Sequence, residues 1–98
     1  TQTNNYTLVL TDGIDGLIEM NKASAVTLTI PTNTSVSFPI GTQIVIAQYG
    51  AGQVTVSPTG GVTMRSASGK NKLTGQYSLA TLVKRGTDEW YLSGDITT

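Results

Sequence analysis

The six carboxylates are the side chains of this sequence best suited to chemistry, because the chain contains no histidine and no cysteine. They form two groups: Asp12, Asp15 and Glu19 near the start, and Asp88, Glu89 and Asp95 near the end. Without imidazole or thiol, no ordinary side chain titrates near neutral pH, and there is no thiolate nucleophile or soft metal ligand. Carboxylates and hydroxyls must therefore supply any reaction.

The first acidic group offers oxygen ligands to a hard cation such as Ca²⁺. A calcium site needs about six to eight oxygens, usually from a loop of fixed spacing, and that spacing does not occur here. Asp12-Gly13 and Asp15-Gly16 are turn dipeptides, which explain both aspartates without a metal. We predict no metal and no cofactor.

The second acidic group raises the question of glycoside hydrolysis, which needs two carboxylates on either side of a sugar. Asp88 and Glu89 are adjacent, so on a strand they point to opposite faces. Turn and rim positions are the simpler interpretation, and we predict that the chain is not an enzyme. A glycan-cleaving domain that uses Asp88 or Glu89 with Asp95 remains an alternative, which loss of sugar release in Asp95→Asn would identify.

Aromatic and basic residues provide candidates for binding instead. Trp90 alternates in phase with Leu92, which predicts a core position, whereas Tyr91 points the other way. The segment Arg65–Lys72 is polar and contains glycine, so we expect a long mobile loop there. The predicted surface interaction residues are Tyr49, Tyr91, Arg65, Lys70 and Lys72.

The elements that position these residues are short strands. Thirty-two positions are β-branched (17 Thr, 8 Val and 7 Ile), and apolar residues recur at every second position in runs that end at Gly, Pro, Asn or Asp. This pattern predicts one all-β domain over residues 1–98 with seven to nine short strands. Because so short a chain leaves little room for crossovers, we expect an antiparallel β-sandwich of jelly-roll-like form.

Two segments carry more specific expectations. Gly50-Ala51-Gly52 separates two apolar runs and predicts a tight hairpin, and Arg85–Asp88 closes the last hairpin. The segment Gln76–Arg85 is apolar on both faces, which is typical of a central strand covered on both sides. The second cover is expected to come from another subunit.

The charge balance restricts the partners. Six Lys and Arg residues offset six Asp and Glu residues, and only 12% of the chain is charged, about half the usual fraction. This balance argues against nucleic acid, whose binding depends on clustered basic residues. No apolar stretch approaches the roughly 20 residues that cross a bilayer, so we predict no membrane contact. The chain starts at Thr1 without Met, which indicates a processed product or an excised piece.

Five blocks of the sequence belong together as a set: Asn21–Pro31, Phe38–Ile44, Gly50–Val56, Gly75–Lys84 and Thr87–Ile96. Their order, with Pro-Ile-Gly-Thr, Gly-Ala-Gly and a Trp-x-Leu-x-Gly-Asp ending, resembles a small all-β module of tailed-bacteriophage virion proteins. Such modules occur in tail-fibre, tailspike-like and head-decoration proteins. The blocks span nearly the whole chain.

The resemblance implies a non-enzymatic structural protein of the virion that forms a homotrimer. The short chain favours a self-standing decoration (cement) protein that stabilises the head by bridging subunits of the major capsid protein. The alternative is a tail-fibre or receptor-binding tip domain that binds a host surface glycan.

Overall fold

The computed structural model describes residues 1–98, which form ten β-strands, one four-residue α-helix and one 3₁₀ turn. The elements in chain order are β1 Tyr6–Thr7, α1 Asp12–Asp15, β2 Leu17–Met20, β3 Val26–Ile30, β4 Gln43–Gln48, β5 Val54–Pro58, β6 Thr63–Ser66, the 3₁₀ turn Ala67–Gly69, β7 Lys72–Leu73, β8 Leu79–Gly86, β9 Glu89–Gly94 and β10 Ile96–Thr97. The all-β prediction is confirmed, but the ten strands exceed the seven to nine predicted; three of the ten are only two residues long. No helix has the length and apolar character needed to cross a bilayer.

The strands form two five-stranded sheets packed together in a sandwich-like arrangement. Sheet I has the order β2-β4-β8-β9-β6, and sheet II has the order β1-β3-β5-β7-β10. From β1 to β8 the chain alternates between the two sheets, so consecutive strands face one another across the core instead of pairing. The predicted central strand is confirmed, because β8 lies in the middle of sheet I.

The expectation of antiparallel sheets is wrong, because both sheets are mixed. The pairs β1–β3, β3–β5, β2–β4 and β6–β9 are parallel. A parallel pair needs a long crossover, and here the crossover between two strands of one sheet contains a strand of the other sheet. The jelly-roll form is not confirmed either, since a jelly roll consists of antiparallel strands.

The Gly50-Ala51-Gly52 segment is not a hairpin, because β4 and β5 lie in different sheets. It carries the chain from sheet I to sheet II and passes directly against the connection between β2 and β3. The amide of Gly52 donates to the Lys22 carbonyl at 2.8 Å. A Cβ at Gly52 would lie 1.8 Å from the Ser24 carbonyl oxygen. Glycine is required here for close backbone approach, not for a turn. The predicted hairpin at residues 85–88, by contrast, is present between β8 and β9.

The core lies between the two sheets and is built from the inward residue of each alternating pair. In β3, Val26, Leu28 and Ile30 are buried, while the threonines between them point outward. The core position predicted for Trp90 is confirmed, since its side chain is 1% exposed and packs edge-on against Phe38, with ring centroids 5.4 Å apart.

Lys84 is a charged member of this interior. Its side chain points inward from β8, and Nζ donates to Asn33 Oδ1 and to the Phe38 carbonyl, both at 2.7 Å. Burial lowers the pKa of the Lys84 ammonium, and the charge of Asp88 partly opposes that shift. The lysine thereby ties the long connection between β3 and β4 to sheet I.

The predicted long mobile loop Arg65–Lys72 is largely regular structure. Residues 63–66 form β6, the next three form the 3₁₀ turn, and Lys72 begins β7. The local polar composition reflects the partial exposure of β6, which lies at the edge of sheet I.

Candidate functional site

Two carboxylates of the first acidic group make separate hydrogen bonds. Asp12 is buried, and its Oδ2 accepts hydrogen bonds from the Tyr6 hydroxyl and the Val9 amide, both at 2.8 Å. Glu19 lies on β2 with its side chain toward the Thr1 hydroxyl. No group of three or more His, Cys, Asp or Glu side chains comes close enough to hold a metal ion.

The Tyr6–Asp12 contact predicts an alkaline loss of stability. Burial, followed by the hydrogen bond and charge of Asp12, raises the pKa of Tyr6 to about 12 from its ordinary 10.0. The folded state holds the phenol proton more tightly than the unfolded chain, so the contribution is complete below pH 10 and disappears as pH rises through 12. With allowance for partial exposure we expect a loss of about 2 kcal/mol.

Denaturant unfolding of the native protein and Tyr6→Phe between pH 8 and 12 measures this contribution. The stability advantage of the native protein should shrink above pH 10. A constant difference between the two proteins across that range would contradict the assignment.

The carboxylates of the second acidic group are each engaged by neighbours. Asp88 Oδ1 accepts a hydrogen bond from the backbone N–H of Asn33 at 2.8 Å. Asp95 accepts from the hydroxyls of Thr74 and Ser78 at 2.7 and 2.9 Å, and these bonds lower its pKa. These contacts join connections between strands to one another, which is a structural role for both aspartates.

The predicted surface residues fall at separate places. Arg65 and Tyr91 are cross-strand partners in the parallel β6–β9 pair. Tyr49 lies at the end of β4 and packs edge-on against Tyr77, with centroids 5.9 Å apart. Lys70 follows the 3₁₀ turn, and Lys72 lies in the opposite sheet. The fold therefore brings together Arg65 and Tyr91 and separates Tyr49 and Lys72 from them.

Arg65 and Tyr91 border an open cavity of about 450 Å³ on the outer face of sheet I, here called the Tyr91 pocket. Its apolar wall includes Ala67, Val83 and Tyr91, and its polar groups come from Arg65, Ser66 and Ser93. The strand register places Arg65, Tyr91 and Val83 side by side across three strands, because Tyr91 pairs with Arg65 on β6 and with Val83 on β8. Ser93 lies two residues farther along the same face of β9, and the 3₁₀ turn that starts at Ala67 closes one side.

Glu89 organises the charges beside this pocket. Its Oε2 accepts from Arg65 Nε at 2.8 Å, and its Oε1 accepts from Arg85 Nη1 at 2.6 Å. These hydrogen bonds, first that of Arg65 and then that of Arg85, lower the pKa of Glu89. The Arg85 guanidinium also lies 5.6 Å from the Tyr91 ring centroid. Two guanidinium groups against one carboxylate leave a local charge of one positive unit.

The outer faces of the two sheets differ in chemistry. In sheet II the outward residues of the central strands are Thr27, Thr29, Thr55 and Ser57. In sheet I the outward residues of β2, β4 and β8 include Leu17, Val45, Ala47, Leu79 and Val83. Leu17 and Leu79 are each more than half exposed. The part formed by Leu17, Val45, Ala47 and Leu79, called the apolar half below, lies beside the Tyr91 pocket.

Sequence reasoning missed the contributions of Val83, Arg85, Glu89 and Ser93 to this corner. Period-two alternation places Val83 and Arg85 on one face of β8, and Glu89, Tyr91 and Ser93 on one face of β9. That signal was available in the sequence. The parallel pairing of β9 with β6, which brings Arg65 to the same place, has no comparable local signal.

A second cavity, of about 290 Å³, lies between α1 and the segment before β4. Leu10, Ile14 and Phe38 contribute to its apolar lining, and Ile14 is 82% exposed. It contains no charged side chain, so it offers apolar contact without a group that selects a ligand.

The chain matches no protein-family model, and no curated protein matches it either.

Proposed function

We propose that this protein is a non-enzymatic structural component of a bacteriophage virion, a decoration or cement protein that works as a homotrimer and bridges subunits of the major capsid protein. The contrast between the two outer faces carries the assembly, and the virion location rests on the resemblance of the five sequence blocks to phage modules. The threonine-rich face of sheet II suits contact with water. In the apolar half of sheet I, Leu17 on the edge strand β2 and Leu79 on the central strand β8 are each more than half exposed.

An apolar centre with polar and charged groups at its margin is the usual anatomy of a protein interface. In sheet I, Glu19 lies on the edge strand β2, and Arg65 lies on the opposite edge strand β6. Leu79 and Val45 lie on the central strands between these edges. Burying this centre against another copy would stabilise each folded subunit and make stability depend on concentration.

The oligomer test uses Leu79→Glu, with Thr29→Glu as the matched control on the other sheet. We expect a trimer at micromolar concentration by multi-angle light scattering and at least about a hundredfold weaker association for Leu79→Glu, because an unpaired charge would be buried. Thr29→Glu should remain trimeric. Circular dichroism should show that both variants fold. A native monomer, or an intact trimer in Leu79→Glu, would contradict the assembly.

Location on the virion needs a separate experiment. Immunogold labelling should mark the head, and the purified protein should bind assembled capsids and raise their resistance to heat. Labelling confined to the tail would replace the decoration role with a tail-fibre role.

A second function is favoured by one feature, the Tyr91 pocket. A shallow, open site with an aromatic wall, hydroxyls and an arginine suits a sugar, which supports the alternative of a receptor-binding tip domain for a host glycan. A glycan array distinguishes the two functions, because a decoration protein should bind capsids and no glycan.

A further inference from the structure

The Tyr91 pocket carries a more specific inference about its ligand, which rests on the second function above. Its geometry combines an apolar wall, two serine residues and an arginine whose orientation is fixed by another residue. Each feature selects a different part of a ligand.

The apolar wall selects a ring. Tyr91 is 47% exposed, and Val83 and Ala67 border the same cavity. A volume of about 450 Å³ accommodates a single sugar residue with part of a neighbour. The carbon-bound hydrogens of a pyranose pack on such a wall, while Ser66 and Ser93 offer hydroxyls to the ring substituents.

Arg65 selects a negative group. Its Nε is bonded to Glu89, and no hydrogen bond occupies Nη1 or Nη2. Those two nitrogens form a planar pair of donors that matches the two oxygens of a carboxylate. Because Glu89 already holds the guanidinium, less side-chain entropy is lost when an anion binds.

The net positive charge beside the pocket favours a ligand with a single negative charge. Arg65 and Arg85 together exceed Glu89 by one positive charge, which balances a monoanion such as a carboxylate. The site lies beside the apolar half, toward the β6–β9 end of sheet I.

We propose that the Tyr91 pocket binds a carboxylated sugar of the uronic acid class, with the carboxylate on Arg65 Nη1 and Nη2 and the ring against Tyr91. The neighbouring sugars of a host glycan would then extend from the open side of the pocket.

The test titrates the full protein with methyl glucuronoside, methyl glucoside, acetate and inorganic phosphate, followed by ligand-observed NMR. We expect the glucuronoside to bind at least about tenfold more tightly than the glucoside, because only the former pairs with Arg65. Acetate and phosphate, which lack the ring, should bind at least about tenfold more weakly than the glucuronoside.

Variants assign the two parts of the site. Arg65→Gln should weaken glucuronoside binding at least about tenfold and leave glucoside binding unchanged. Tyr91→Leu should weaken both sugars. Lys22→Gln removes a cation from the connection between β2 and β3, which does not border the pocket, so it should change neither. Thermal unfolding of each variant confirms that it folds.

The outcomes separate this inference from the function on which it rests. Equal binding of glucuronoside and glucoside overturns the choice of an acidic sugar and leaves glycan binding standing. Equal binding of acetate, phosphate and glucuronoside identifies a simple anion site and overturns the inference. No binding of any sugar here or on the array overturns both, while the trimer and capsid experiments remain independent.

Discussion

Gly52→Ala is expected to lower the free energy of unfolding by at least about 3 kcal/mol, or to prevent folding altogether. The new Cβ would lie 1.8 Å from the Ser24 carbonyl oxygen and 2.3 Å from the Ser24 carbonyl carbon. Both obstacles are backbone atoms, so no side-chain rotation relieves the clash. The connections between β2 and β3 and between β4 and β5 must separate, which also strains the bond from Gly52 to Lys22.

Thermal unfolding measures this effect. A loss of about 3 kcal/mol corresponds to a decrease in Tm of at least about 12 °C for a domain of this size. Gly60→Ala is the matched control, because no atom lies within 4 Å of the position its Cβ would take. We expect its Tm to stay within a few degrees of the native value. Similar losses at both positions would show that close backbone approach is not what requires Gly52.

Lys84→Met is expected to cost about 2 kcal/mol of unfolding free energy. Methionine retains most of the apolar stem, but the Phe38 carbonyl and Asn33 Oδ1 lose their donor. A buried acceptor without a partner costs about 1 to 3 kcal/mol. Methionine also removes the free-energy cost of burying the ammonium charge. The net loss of unfolding free energy is therefore smaller than the sum for two unpaired acceptors.

The pH dependence identifies the ammonium as the source. Since burial lowers the pKa of Lys84 in the folded state, the unfolded chain binds the proton more tightly. The charge therefore costs stability at neutral pH, and that cost is relieved as pH rises through the folded pKa toward 10.5. The difference between native protein and Lys84→Met should widen over that range.

Denaturant unfolding from pH 7 to 10.5 checks this expectation. Lys70→Met serves as the control, since Lys70 makes no side-chain hydrogen bond, and we expect a change within about 0.5 kcal/mol. A Lys84→Met variant as stable as the native protein would contradict the role of Lys84 in holding the connection between β3 and β4.

These two positions illustrate where sequence reasoning succeeds and where it does not. Gly50-Ala51-Gly52 has the composition of a hairpin, and only the placement of β4 and β5 in different sheets shows that its glycines serve close packing. Lys84 is a charged residue, which by residue type alone is expected at the surface. Its alternation with Leu82 on β8 places it inside, but the oxygen atoms that make this tolerable come from residues about 50 positions earlier.

The candidate site divides in the same way. Tyr91 was expected at the surface because it alternates with Trp90 and Leu92, and it is exposed. Arg65 was also expected at the surface, yet nothing near it in the chain indicates that it borders Tyr91. The parallel register of β6 and β9 joins them, and the antiparallel β8–β9 hairpin adds Val83.

The sequence by itself determined the all-β class and, for the longer strands, their inward and outward faces. Alternation follows from the covalent geometry of an extended chain, so it can be inferred wherever apolar and polar residues alternate. The tertiary structure decided which strands are neighbours and in which direction they run. An apolar strand face packs favourably against many others, so pairing depends on how all ten strands close one core together. The Tyr91 pocket depends on this pairing, because it forms where β6, β9 and β8 lie side by side.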